Sequence, residues 1–193
     1  CHGNGVRTFV HSLESGQVSA DEVIAKHCLA HPEFRRWLIE ERLYNHADVL
    51  CLSPSRALQT LRVVTFVDRN GDPSVVAAQW RLASTGAFVD NFCYGTKSGM
   101  LCDIGLHTGK IEVVYIGKNY PYEFGLSVTD THMETGELLV GKRVPFWEET
   151  TRLVTRAALA FLPSRTIGWD IGITGSGPVI IEANRCWDTH NEN

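Results

Sequence analysis

The sequence lacks a C-x-x-C pair and an H-E-x-x-H, although it holds six cysteines and eight histidines in 193 residues. Cys1, Cys28, Cys51, Cys93, Cys102 and Cys186 are too scattered for a zinc site. They are expected to be reduced, partly buried thiols of a cytoplasmic protein. No apolar run approaches the roughly 18 residues that span a bilayer. There is no basic tail or block, and the net charge is −4. Nucleic acid and a membrane are thereby excluded as expected partners. The opening CHGNGVRTFV has no signal-peptide pattern. Internal repeats, low-complexity linkers and the regular βαβα alternation of a doubly wound fold are also missing. So is any evident Ser-His-Asp or Cys-His arrangement, which points away from a protein nucleophile. Nothing in the sequence sets the oligomeric state.

What remains is ordinary for a globular protein: 44% hydrophobic and 21% charged residues. The length fits one domain or one large piece of a domain. Residues 19–31 read as a helix, with Ser19 and Glu22 at capping-box spacing and Val23, Ile24 and Cys28 on one apolar face. Residues 37–43 (WLIEERL) read as a short buried strand. Apolar, β-branched runs at 58–67 and 73–83 flank Asn70-Gly71, a strong hairpin signal. Further strands are expected near 87–92, 99–104 and 110–116. The clearest helix covers 147–162, with Trp147, Val154, Ala157, Ala158 and Phe161 on one face and Pro163 ending it. Residues 167–173 and 178–184 form a last hairpin around Gly175-Ser176-Gly177. The pattern is α+β, mainly antiparallel strands with flanking helices.

In the last hairpin, GWDIGITGSGPVIIEANR, apolar strands are interrupted by Asp170, Glu182 and Asn184. Glu182 and Asn184 are two apart and share a face. A three-residue loop, Gly175 to Gly177, places Asp170 opposite Glu182. Like charges so placed destabilise a sheet by up to about 1 kcal/mol. A divalent cation removes the repulsion, and two carboxylates with an amide suit Mg²⁺ or Mn²⁺ rather than zinc. The competing reading is a solvated face carrying acids by chance, and a two-residue loop would turn Asp170 to the other face.

In the first hairpin, a two-residue Asn70-Gly71 loop pairs Arg69 with Asp72 and so Arg62 with Gln79. Arg81 then lies on the same face as Arg62, a diagonal step of about 7–8 Å away. Two guanidinium groups on strands this apolar call for an anion, phosphate or carboxylate. The alternative is two arginines snorkelling to water.

TLRVVTFVD (60–68), AQWRLA (78–83), VDNF (89–92), ETG (134–136), VPFWEE (144–149) and GWDIGITGSGPVIIEAN (168–184), in this order, resemble the ATP-grasp superfamily. The nearest likeness is to the sugar-transfer-associated ATP-grasp proteins, relatives of the α-L-glutamate ligases, and it runs from about residue 3 to residue 188. The resemblance implies that Asp170, Glu182 and Asn184 hold the magnesium ions that bridge the phosphates of ATP. It implies that Arg62 contacts the transferring phosphate, and that Arg81 lies where a second arginine or the acceptor site falls. Glu40, Glu41 and Leu43, in IEERL, resemble a hinge strand that meets the adenine edge, with an edge strand capped by solvated acids as the alternative. Gly3 and Gly5 resemble the tail of a glycine-rich loop over the phosphates. Asn91 sits in a family-like stretch without an assigned role.

The family's phosphate-binding lysines have no match, since Lys26, Lys97, Lys110, Lys118 and Lys142 sit in other contexts. The expectation is therefore a partial ATP-grasp domain: residues 1–57 a remnant of lid and hinge, residues 58–193 the metal- and phosphate-binding subdomain. The implied activity is an ATP- and Mg²⁺-dependent carboxylate–amine ligase acting through an acyl phosphate, in sugar-polymer biosynthesis. Its partners would be ATP, a small carboxylate and an amine acceptor. The alternatives are a truncated or degenerate non-catalytic nucleotide-binding module, and a phosphotransferase using the same site.

Overall fold

The β-branched run of TLRVVTFV forms strand β1 (Thr60–Val67), and every neighbour in the sheet is laid down around it. The computed structural model describes residues 20–29, 36, 41–87, 90, 92, 99–118, 122–123 and 125–187. Strand β1 pairs antiparallel with β2 (Pro73–Ala83) on one side and β6 (Thr166–Thr174) on the other. Strands β3 (Gly99–Ile104), β4 (Ile111–Gly117), β5 (Leu126–Thr129) and β7 (Gly177–Asn184) complete a seven-stranded sheet ordered β5-β4-β3-β2-β1-β6-β7. All its pairs are antiparallel, as an α+β chain with the expected hairpins requires.

Period-two alternation divides the sheet into two faces. Leu61, Val63, Trp80, Leu82, Cys102, Trp169 and Ile171 lie on one face and form the core. Helix α3 (Trp147–Ala160) packs against β1, β2, β6 and β7. It buries Trp147, Thr150, Val154 and Ala158, a stripe at steps of three and four. Each large apolar side chain so buried contributes about 1.5–3 kcal/mol relative to exposure. Trp169 Nε1 donates to Thr65 Oγ1 at 2.8 Å, so the largest core ring leaves no buried donor unmet.

Both hairpins differ from expectation at the turn. In the first, Asp68 N donates to Asp72 O at 3.0 Å, and Val67 pairs with Pro73. The loop is therefore three residues, Arg69 to Gly71, with Gly71 at φ +93° closing it. Asp68 Oδ1 accepts from Asn70 N and Asp72 N, which fixes this longer turn. In the second, Thr174 pairs with Gly177, so the loop is two residues, Gly175-Ser176, not three. Thr174 Oγ1 donates to Gly177 O at 2.9 Å and accepts from Ser176 N.

Each turn is compensated by a bulge. In the first hairpin Val64 pairs with Ala77 and Thr65 with Val75, leaving Val76 unpaired. In the second, Asp170 pairs with Glu182 and Ile171 with Ile180, leaving Ile181 unpaired.

Other differences are smaller. Helix α3 stops at Ala160, and Phe161 is half exposed rather than on the buried face. Strand β5 was not expected. The strand anticipated at 37–43 lies partly outside the described residues; residues 41–46 are irregular and lead into helix α2 (Ala47–Leu52). The strand anticipated at 87–92 is described only at 87, 90 and 92, none of which is in a strand. Residues 2–42 form a unit separate from residues 43–193. Its described residues include helix α1 (Ala20–Val23), continued as a π-turn over Ile24–Cys28; Ser19 and residues 30–31 lie outside the described residues.

Candidate functional site

The sheet face opposite Leu61 and Trp80 carries the polar residues that interrupt the apolar strands. The registers line up a row across five strands: Glu182 pairs with Asp170, Asp170 with Arg62, Arg62 with Gln79, and Gln79 with Asp103. Arg81 lies two residues beyond Gln79 on the same face.

Asp170 is the centre of this row, with its side chain 10% exposed. Its Oδ1 accepts from Arg62 Nε at 2.5 Å and faces Arg81 Nη2 at 2.9 Å. Its Oδ2 accepts from Arg62 Nη2 at 3.1 Å and from Asn184 Nδ2 at 3.5 Å. The anion that the two arginines call for is thus, in this state, a carboxylate of the chain itself. Asp170 and Glu182 are nevertheless directly opposed, and guanidinium groups offset the repulsion between them.

Arg81 is held from behind. Its Nη2 donates to Thr60 Oγ1 at 2.5 Å, and its Nε lies 3.6 Å from Asp90 Oδ2. Asp90 Oδ2 also accepts from Thr60 N at 2.6 Å and Thr60 Oγ1 at 2.5 Å. Burial opposes the Arg81 charge, but Asp90, Asp170 and Glu182 outweigh it, and the guanidinium pKa is raised. Burial pushes the Asp90 carboxyl up, further than Arg81 and Thr60 pull it down. At the other end of the row, Gln79 Nε2 donates to Asp103 Oδ1 at 2.9 Å. Burial, and then Asp103, to which the Tyr115 hydroxyl donates, hold that phenol above its ordinary value.

Gly168, on the site face of β6, has no room for a side chain. A Cβ there would meet Trp187 Cβ at 2.5 Å and Arg62 Cδ at 3.3 Å. The bare backbone at Gly168 receives the Trp187 side chain and borders the Arg62 stem.

The donors on this face are hard oxygens. Asp170 and Glu182 are paired, Glu182 is exposed, and Asn184 presents an amide two residues further on. Among the described residues no group of three His, Cys, Asp or Glu side chains is placed to hold a metal, so the set is two carboxylates and an amide. Among the described residues the two guanidinium groups face Asp90, Asp170 and Glu182. Hard oxygen donors of this kind suit Mg²⁺ or Mn²⁺.

The structure brings five expected residues onto one face: Arg62, Arg81, Asp170, Glu182 and Asn184. Glu41 is exposed and Leu43 half-buried, both in irregular backbone; Gly3, Gly5, Glu40 and Asn91 lie outside the described residues. Thr60, Asp90 and Asp103 were not anticipated, and Gln79 only as the cross-strand partner of Arg62. The available signal was Asp103, which interrupts the apolar GMLCDI as Asp170 interrupts GWDIGIT.

The sequence model of the family described as sugar-transfer associated ATP-grasp matches residues 19–191. No curated protein and no solved structure matches the chain. No helix among the described residues is long and apolar enough to cross a membrane.

Proposed function

Because the chain belongs to the sugar-transfer associated ATP-grasp family, we propose that it serves a cytoplasmic carboxylate–amine ligase that consumes ATP. ATP-grasp proteins are in general ATP-dependent ligases, and the family's name places this one in a sugar-related setting. In this reading residues 58–193 bind metal and phosphate. Residues 1–57 are proposed as lid and hinge, and Gly3, Gly5, Glu40, Glu41 and Leu43 as nucleotide contacts, on the family resemblance alone.

The observation that carries the reading is the row Glu182–Asp170–Arg62, in which paired carboxylates and a guanidinium fork share one face of a rigid sheet. Asp170, Glu182 and Asn184 would hold magnesium, which supplies neutralisation of phosphate charge when bound. Arg62 presents a planar fork to the transferring phosphoryl group. Arg81, fixed by Thr60 and Asp90, keeps Asp170 aligned and adds a second positive charge. A substrate carboxylate oxygen attacks the γ-phosphorus, and ADP leaves with the electron pair of the bridging bond. The amine nitrogen then attacks the acyl carbon, phosphate leaves, and the nitrogen loses its proton to solvent. The chain's contribution is positioning and charge, with no protein nucleophile required.

One observation favours the second reading, a nucleotide-binding module without turnover: Asp170 already has guanidinium partners on both oxygens. The two readings separate on ADP formation. The ligase reading expects ADP to appear only when ATP, Mg²⁺ and a carboxylate substrate are all present, and to be abolished in Asp170→Asn. Magnesium-dependent ATP binding with no ADP formed across a panel of carboxylates would replace it with the binding module.

A further inference from the structure

Resting on the metal reading of this face, we propose that Arg62 is exchanged for the cation at Asp170. The guanidinium occupies the carboxylate while no divalent ion is bound, and the arriving ion releases it towards phosphate. A carboxylate offers about four acceptor positions. Among the described residues Asp170 has four N–H neighbours: Arg62 Nε at 2.5 Å, Arg62 Nη2 at 3.1 Å, Arg81 Nη2 at 2.9 Å and Asn184 Nδ2 at 3.5 Å. An ion that binds Asp170 must displace donors.

Arg81 is the wrong donor to lose. Its guanidinium is bonded to Thr60 and faces Asp90 as well as Asp170, and its departure would leave the Asp90 carboxyl without this cation. Asn184 has the longest contact, and turning its amide offers the carbonyl oxygen instead of the N–H. Arg62 gives Asp170 a two-pronged fork, and the same fork fits a phosphate equally well. Releasing Arg62 therefore costs little when a nucleotide brings a replacement anion, and more when the ion comes alone. Metal and phosphate then favour each other's binding through one side chain, and the coupling is reciprocal.

The test uses Mn²⁺ alone, titrated into the unmodified chain, Arg62→Met and Arg62→Lys, with free ion followed by electron paramagnetic resonance. Two charge-assisted bonds compete with the ion in the unmodified chain, so Arg62→Met should bind Mn²⁺ about tenfold or more tighter. Arg62→Lys, which keeps the charge and loses the fork, should fall between. In ¹⁵N spectra of the unmodified chain, the Arg62 Nε–H resonance should be protected from solvent exchange without metal and lose that protection as Mg²⁺ is added. Unchanged or weaker Mn²⁺ binding in both variants, or an Nε–H that stays protected, overturns the exchange. Absence of Mn²⁺ binding in all three proteins overturns the metal reading of the face itself.

Discussion

The two site-bearing hairpins depart from expectation in opposite directions at the turn and are corrected in the same way. The β1–β2 turn is one residue longer than an Asn-Gly hairpin suggests, and the β6–β7 turn is one residue shorter than its Gly-Ser-Gly suggests. Taken alone, either turn would rotate the chemistry off its face, because a one-residue slip inverts a strand. A bulge corrects each: Val76, 47% exposed, and Ile181, 45% exposed. Register at the site is thus set by the bulges between turn and site. The hairpins differ in what stands behind them. Strand β2 lies between β1 and β3 and holds Arg81 in a buried network, whereas β7 is a sheet edge that presents Glu182 to solvent.

That difference predicts a wide separation in stability effects. Arg81→Met removes one partner of a buried charge network and should cost about 3–5 kcal/mol. Glu182→Gln, on the exposed edge, should stay within about 0.5 kcal/mol. Urea unfolding of both measures the contrast, and comparable losses would mean that the edge hairpin is as tightly built as the centre.

Deleting the bulged residues sharpens the comparison. Without Ile181, Glu182 follows Ile180 and still meets Asp170; without Val76, Ala77 follows Val75 and still meets Val64. Both deletions should fold and keep the site register, at a similar cost of about 1–3 kcal/mol, since β3 pairs with β2 only over Gln79–Ala83 and neither bulge lies between two paired strands. Thermal melts measure both, and a variant that fails to fold would show that its bulge is required for the strand pairing.

The smallest effect is the pH dependence from Asp90. Its carboxyl titrates above the ordinary value of 3.8 because burial raises it. Between that value and its raised pKa the folded state holds more proton than the unfolded state, so this group's contribution to stability rises as pH falls. Asp90→Asn should flatten that component in unfolding curves recorded from neutral pH towards pH 4. A component that persists in the variant belongs to another group.

Much of this was legible from the chain. β-Branched runs located β1, β2, β6 and β7, and acids inside apolar strands marked Asp170 and Glu182. The pairings Arg62 with Gln79 and Asp170 with Glu182 were anticipated through turn lengths that are wrong, and they hold because a bulge offsets each one. The contact of Arg62 with Asp170 was not legible, since 108 residues separate them and the adjacency of β1 and β6 is a tertiary fact. Nor was the anchoring of Arg81 by Asp90, which comes from irregular backbone rather than from a strand with a period. The strands themselves and the acids that interrupt them are local and readable; turn length, bulges and the order of strands in the sheet are not.

The central claim, that Asp170, Glu182 and Asn184 serve a magnesium–ATP complex, meets its most direct test in calorimetry of ATP binding with and without Mg²⁺. The unmodified chain should bind ATP more tightly when Mg²⁺ is present, and Glu182→Gln should fold normally and lose that dependence. Tight ATP binding by the unmodified chain without metal, or an unaltered magnesium dependence in Glu182→Gln, would contradict the claim.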